Sequence, residues 1–284
     1  MNYMKTTLLL GGLTALLVLF GQLLGGSRGA MTFFVIAAVM NFVSYWFSDK
    51  IVLMMYRAKQ VDETESPRLH AVVKDLAEKA NLPMPKVFIV ENPTPNAFAT
   101  GRNPSHASVA ATTGILNLLS DEELRGVMAH ELAHVQNRDI LISSIAATIA
   151  GAISMIANVV QWGAMFGGVS RDDDDRGGSA VFAIVMAIVA PLAAMVIQMA
   201  ISRSREYAAD YAGAKLSGKP LALASALGRL EQSVRALPMQ GGNPSTAHLF
   251  IVNPFRGGIA GLFSTHPPME ERIRRLEQLS REMA

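Results

Sequence analysis

The sequence predicts a mainly α, multi-pass membrane protein in which four transmembrane helices carry a cytosolic domain that is helical with a small β-sheet. Three observations predict it. Half of the 284 residues are hydrophobic, only 17% are charged and the mean hydropathy is +0.28, too apolar for an ordinary soluble domain. Four charge-poor runs approach or exceed the roughly 20 residues that a bilayer-spanning helix needs. The segments between and after them switch to amphipathic helical spacing and short strand-like stretches.

The first run, 6–24, follows Lys5 and ends at Gly25-Gly26-Ser27-Arg28-Gly29. It is long for the apolar part of a signal peptide and no small-residue cleavage site follows it. With the second run, 30–47, it makes a transmembrane hairpin occupying residues 1–55. A cytosolic segment, 56–139, comes next. Ser66 as N-cap and Pro67 at the first helical position open an amphipathic helix over 66–81 with Leu69, Val72, Val73 and Leu76 on one face. Residues 86–90 read as a strand, and 96–101 and 107–113 as further short strands. A second hairpin fills 140–201, with spans at 140–168 and 179–201, the latter kinked at Pro191. Its loop holds four consecutive aspartates, 172–175, which lack EF-hand spacing and read as a solvated turn. The rest, 202–284, is cytosolic. Of 25 Lys and Arg residues, only Arg28, Arg171 and Arg176 fall in the two interhelical turns. The positive-inside rule therefore places both termini and the soluble segments in the cytoplasm.

A net charge of +2 without a basic run interleaved with aromatics gives no case for nucleic acid. The absence of cysteine removes disulfides and thiolate metal sites. A transition metal here must be held by histidine and carboxylate, a donor set suited to zinc in an open, catalytic site.

Such donors stand in His130-Glu131-Leu132-Ala133-His134. Residues four apart share a helix face, so both imidazoles reach one ion, and Glu131 is offset by about 100°, placed to reach a water on that ion. Ser120-Asp121-Glu122-Glu123 reads as a capping box that starts the helix. This is the pattern of zinc peptidases with glutamate as general base. The third ligand follows from topology. The chain leaves the membrane surface just after His134 and returns just before Glu206, so the second hairpin brings Glu206 beside the histidines. Asp210, one turn on, is placed to orient a ligating histidine.

His130-Glu131-Leu132-Ala133-His134 with Glu206-Tyr207-Ala208-Ala209-Asp210, the four apolar runs and Asn96-Ala97-Phe98-Ala99-Thr100-Gly101 together resemble the HtpX family of membrane zinc peptidases, relatives of the CAAX prenyl proteases. The resemblance implies a zincin-like metalloprotease domain with one zinc ion per chain, in the bacterial cytoplasmic membrane. It also implies endopeptidase action on misfolded or damaged membrane proteins. On that basis His130, His134 and Glu206 are ligands and Glu131 the base, while Asn96, Ala97, Phe98 and Ala99 belong to a strand along which an extended polypeptide adds. His266, followed six residues later by Arg272, matches a family pair near the zinc that steadies the reaction's oxyanion. Two rivals stand beside this reading. An intramembrane site-2-type protease would bury its motif in the bilayer, which Asp121, Glu122, Glu123, Arg125, Arg138 and Asp139 oppose. A non-proteolytic zinc-binding membrane chaperone or scaffold would not need Glu131.

Overall fold

The structure, a computed structural model, describes residues 2–149, 203–236, 249–252 and 267–283. It opens on α1 (Asn2–Met55), broken into two arms at Gly25 and Gly26; Gly26 takes φ 57°, a conformation that glycine adopts without the usual steric penalty. Both arms are long and apolar enough to cross a membrane, Thr6–Leu23 and Gly25–Met55. They fold back on each other, and Asn41 Nδ2 donates to Thr14 Oγ1 at 2.8 Å across the pair. Leu19, Leu23, Phe34, Val39 and Phe42 stay exposed on the outside, as a lipid-facing surface requires.

The second arm runs past the expected end at Phe47. Apolar residues resume after Asp49 and Lys50, and Val52 and Leu53 are buried against Phe88, Val90 and Phe98 of the sheet. The helix thus continues from its lipid-exposed stretch into the second domain without a linker. Of the expected third span only α5 (Ile140–Ile149) is described; 150–168 and the fourth span, 179–201, lie outside the described residues.

The sheet contains β1 (Lys59–Gln60), β2 (Lys86–Val90), β3 (Ala97–Gly101) and β4 (Ala107–Thr112) in the order β1-β2-β4-β3. β2 and β4 run parallel, with Val87 opposite Val109, and β3 is antiparallel to β4, with Ala99 opposite Val109. β3 is therefore an edge strand. Around the sheet stand α2 (Pro67–Lys79), α3 (Thr113–Leu118), α4 (Asp121–Gln136), α6 (Arg203–Ser217), α7 (Pro220–Ala236) and α8 (Met269–Met283). Ser66 does not cap α2 through its side chain as expected; Pro67 at the first position, with no N–H to satisfy, starts the helix. The sequence reading had not picked out α7, although Leu223, Leu227, Leu230 and Val234 recur at helical spacing and are buried.

α4 is the central element, packed against β3 and against α2, α6 and α7. Its capping box forms as expected: Ser120 Oγ accepts from Glu123 N–H and Glu123 Oε2 from Ser120 N–H. Glu123 also accepts from Ser225 and Arg229 at 2.7 Å each, which ties the start of α4 to α7. Replacing Asn41 by alanine removes the polar contact between the α1 arms without leaving a buried donor. About 0.5–1 kcal/mol of stability should be lost, the usual scale for such bonds between membrane helices, as read from detergent-unfolding midpoints.

Candidate active site

His130 and His134 project from one face of α4, their Nε2 atoms 3.2 Å apart. Glu206, in the first turn of α6, faces both: Oε2 lies 3.8 Å from His130 Nε2 and Oε1 3.5 Å from His134 Nε2. The three are the one group of histidine and acid residues among the described residues whose donor atoms converge closely enough to hold a metal ion. Zinc–ligand bonds of about 2.0–2.1 Å at tetrahedral angles put donor atoms roughly 3.3–3.4 Å apart. The observed spacings bracket that value, and the two-imidazole, one-carboxylate set is that of an open catalytic zinc site, so the residues fit the ion.

Each imidazole turns its other nitrogen to a carboxylate. His130 Nδ1 is 2.9 Å from Asp210 Oδ1, and His134 Nδ1 is 3.4 Å from Asp139 Oδ2. The sequence reading assigned the first of these partners and missed the second. The position of Asp139, a few residues beyond a helix end, was visible; the backbone turn that folds it back was not. Arg272 is fully buried and bidentate on Asp210, with Nε at 2.8 Å and Nη2 at 2.7 Å, while Nη1 donates to Ile251 O and lies 3.7 Å from Glu206 Oε2. Its guanidinium therefore stands behind the ligands rather than facing the space where a substrate oxyanion would form. Burial works to raise the Asp210 carboxyl, but the Arg272 charge and hydrogen bonds outweigh it and hold the group at about 2. His266, the expected partner of Arg272, lies outside the described residues.

Glu131 is 3% exposed. Burial, with the Glu206 charge adding to it and His134 and the Ala99 backbone amide opposing, pushes its carboxyl up to about 8. Ala99 of β3 lines the same cavity as Glu131 and the two histidines. Two outward N–H groups of the strand are engaged: Ala97 N–H by Asn96 Oδ1 at 3.1 Å and Gly101 N–H by Ser144 Oγ at 3.3 Å. Asn96, Ala97, Phe98 and Ala99 are buried, and Asn96 Nδ2 donates to Val252 O at 2.9 Å. The space over Glu131, His130 and His134 measures about 40 Å³ and is also lined by Leu249, Phe250 and Ile251. A larger cavity of about 690 Å³ lies elsewhere, between α2 and the start of α4. It is lined by mutually paired charges such as Arg68 with Asp121 and Arg125 with Asp75, and lacks the convergent donors that mark the smaller one.

The peptidase family M48 model matches residues 63–280, a stretch that contains all of this geometry. The chain belongs to that family. Curated M48 relatives named "Protease HtpX homolog" cover nearly all of it. That of Desulforapulum autotrophicum is 57% identical over 97% of this chain and 89% of its own length. Those of Thermococcus kodakarensis and Syntrophotalea carbinolica are 56% and 58% identical over 99% of this chain and 97% and 99% of theirs. Among solved structures, S. mikatae Ste24p matches with TM-score 0.51 at 17% identity, over 97% of this chain and 65% of that one, a likeness of fold. The chain is a membrane-bound zinc metalloprotease, and the resemblance drawn from its motifs is correct.

Two predictions follow from the packing. Gly213 lets α6 approach α4 so closely that a Cβ there would meet His130 N at 2.7 Å and Cα at 2.8 Å. Gly213→Val should push Glu206 and Asp210, on the same face of α6, away from the histidines and lower zinc affinity at least tenfold, measured by chelator competition, with helical content kept. The second concerns the zinc-free protein. A carboxyl raised above its ordinary value gives stability that is complete below that value and is lost as pH rises through about 8. Glu131→Gln should therefore melt higher than the parent near pH 8 and above, with the gap closing toward pH 4.5, as read by thermal denaturation across pH.

Proposed function

We propose that this M48 member is an endopeptidase that cuts unfolded segments of membrane proteins next to the bilayer surface, in proteolytic quality control at the bacterial cytoplasmic membrane. In this reading four spans anchor the chain, as hairpins within 1–55 and 140–201, and the catalytic segments 56–139 and 202–284 face the cytoplasm with both termini. The observation that carries it is the convergence of His130, His134 and Glu206 on one point with Glu131 beside it. Arg102 stacking on Trp46 at 4.6 Å supports the location, because it sets the loop after β3 against α1 near Asp49 and Lys50, where its charge-free run ends and interfacial aromatics gather.

His130, His134 and Glu206 would hold zinc, which when bound would supply Lewis acidity for the attack of water on a peptide carbonyl. Glu131, buried beside the ligands, takes a proton from the attacking water and gives it to the leaving amine. Asp210 fixes the ring of His130, and Arg272 holds Asp210 in place; Arg272 is thus a positioning residue in this reading, with the oxyanion left to His266. The polypeptide adds along β3 at Asn96, Ala97, Phe98 and Ala99, displacing Leu249, Phe250, Ile251 and Val252 from the outer side of that strand.

Detergent-purified protein should cut an unfolded membrane protein with zinc and stop with chelator. Glu131→Ala should keep stoichiometric zinc yet lose cleavage by at least a hundredfold, whereas His134→Ala should lose both, measured by metal analysis beside a gel-based cleavage assay. Parent-like cutting by Glu131→Ala would sink the assignment of the base. Zinc binding without cleavage in every sample would favour a scaffold.

A further inference from the structure

We propose that Asp139 is a positioning residue of the metal centre and does for His134 what Asp210 does for His130. The inference rests on the reading of His134 as a zinc ligand and adds a residue to it.

The local backbone explains how Asp139 gets there. α4 ends in a Schellman turn: Asp139 N–H donates to His134 O at 2.9 Å and Arg138 N–H to Val135 O at 3.1 Å, with Arg138 in the left-handed region at φ 58°. This turn brings the side chain two residues past the cap against the one three from the helix end, and the two are usually apolar. Here they are Asp139 and His134, and the contact is a carboxylate on an imidazole nitrogen, Oδ2 to Nδ1 at 3.4 Å.

α4 asks for no acid at this place, although Asp139 also stands as the N-cap of α5, its carbonyl accepting from Ser143 N–H at 3.3 Å, where an aspartate is a favoured residue. The C-terminal end of a helix carries partial negative charge and disfavours an anion, and Asp139 is only 4% exposed, which adds a desolvation penalty. The turn is closed by the backbone N–H of residue 139, which any residue but proline supplies. Beyond that cap, what favours a carboxylate is its surroundings: the His134 ring, and the positive charge of Arg205, which acts on both Asp139 and Glu206. A carboxylate on Nδ1 holds the proton on that nitrogen and leaves Nε2 free for a metal. His134 Nε2 is the atom that faces Glu206 and His130. The two histidines thus share one arrangement, Nε2 inward and Nδ1 on an aspartate, although one aspartate comes from α6 and the other from the end of α4 itself.

The test compares Asp139→Ala, Asp139→Asn and, as a control, Asp121→Asn at the exposed start of the same helix. Readouts are zinc affinity by chelating-dye competition, the visible absorption of the Co2+-loaded protein, and the melting temperature without metal. Asp139→Ala should bind zinc roughly 10–100-fold more weakly, the usual effect of losing an orienting partner, and displace the Co2+ bands. Asp139→Asn, whose amide oxygen still accepts from Nδ1, should recover most of the affinity. Asp121→Asn should match the parent, and without metal Asp139→Asn should melt like the parent, because asparagine caps α5 as aspartate does, whereas Asp139→Ala should melt lower through loss of that cap. Should Asp139→Ala fail to fold, Asp139→Asn decides alone, by displaced Co2+ bands with a parent-like melting temperature. Parent-like affinity and bands in both Asp139 variants would overturn the proposal. So would equal weakening of both with a lowered metal-free melting temperature, the mark of a purely structural role. Parent-like zinc affinity in His134→Ala would instead remove the ligand reading, and this inference with it.

Discussion

The bidentate bond between Arg272 and Asp210 is the constraint on which the rest of the centre depends. It joins α8 to α6 across 62 residues of sequence, and through Asp210 it reaches His130 on α4. Three helices are thus locked by groups that are each almost wholly buried. A buried ion pair of this kind contributes little net stability, because desolvation offsets most of the attraction; breaking one side of it is what costs several kcal/mol, on the order of 3–5. Its value here is geometric. With Asp210 neutralised by Arg272, Glu206 remains the carboxylate aimed at the histidine pair, and a divalent cation meets a site that is already arranged.

The parts of the molecule that were legible in the sequence are those whose information is local. The capping box at Ser120, the spacing of His130 and His134, and the offset of Glu131 are all consequences of helix geometry. Glu206 was legible for another reason: a hairpin that leaves and returns to one surface brings its two ends together, so topology replaced periodicity. Asp139 was not legible, because its place depends on the left-handed backbone of Arg138, a conformation unusual for arginine and unmarked by glycine or asparagine. Arg272 was found through resemblance, but its direction was not. A guanidinium six residues after His266 says nothing of whether it faces a substrate or a buried aspartate. The length of the second helix was under-read for a related reason: Asp49 and Lys50 look like a return to water, yet the helix continues through them and buries Val52 and Leu53 beyond.

The sheet and the apolar hairpin are a single packed unit. Phe98 of β3 meets Tyr56 in a tilted contact and Phe250 edge-on, with ring centroids 5.5 and 5.7 Å away, and Tyr56 and Phe250 meet each other edge-on at 5.0 Å, next to the end of α1. Two residues along the same face of the strand, Thr100 Oγ1 and Ser144 Oγ share a buried hydrogen bond of 2.6 Å. The strand beside Glu131 is therefore held by both apolar elements, by one through aromatic packing and by the other through hydroxyls.

α4 ends at Gln136 and α5 begins at Ile140, and the three residues between are fixed by the turn that closes on His134. α5 in turn packs Leu141, Ile142 and Ile145 against Leu10, Leu13 and Tyr45 of the first hairpin. There is no slack in this connection to absorb a tilt of α5. At the bench, the choice of solubilising amphiphile then becomes a matter of metal retention: a micelle too small to hold α5 against the hairpin would cost the enzyme its ion before the helices around the centre unfold.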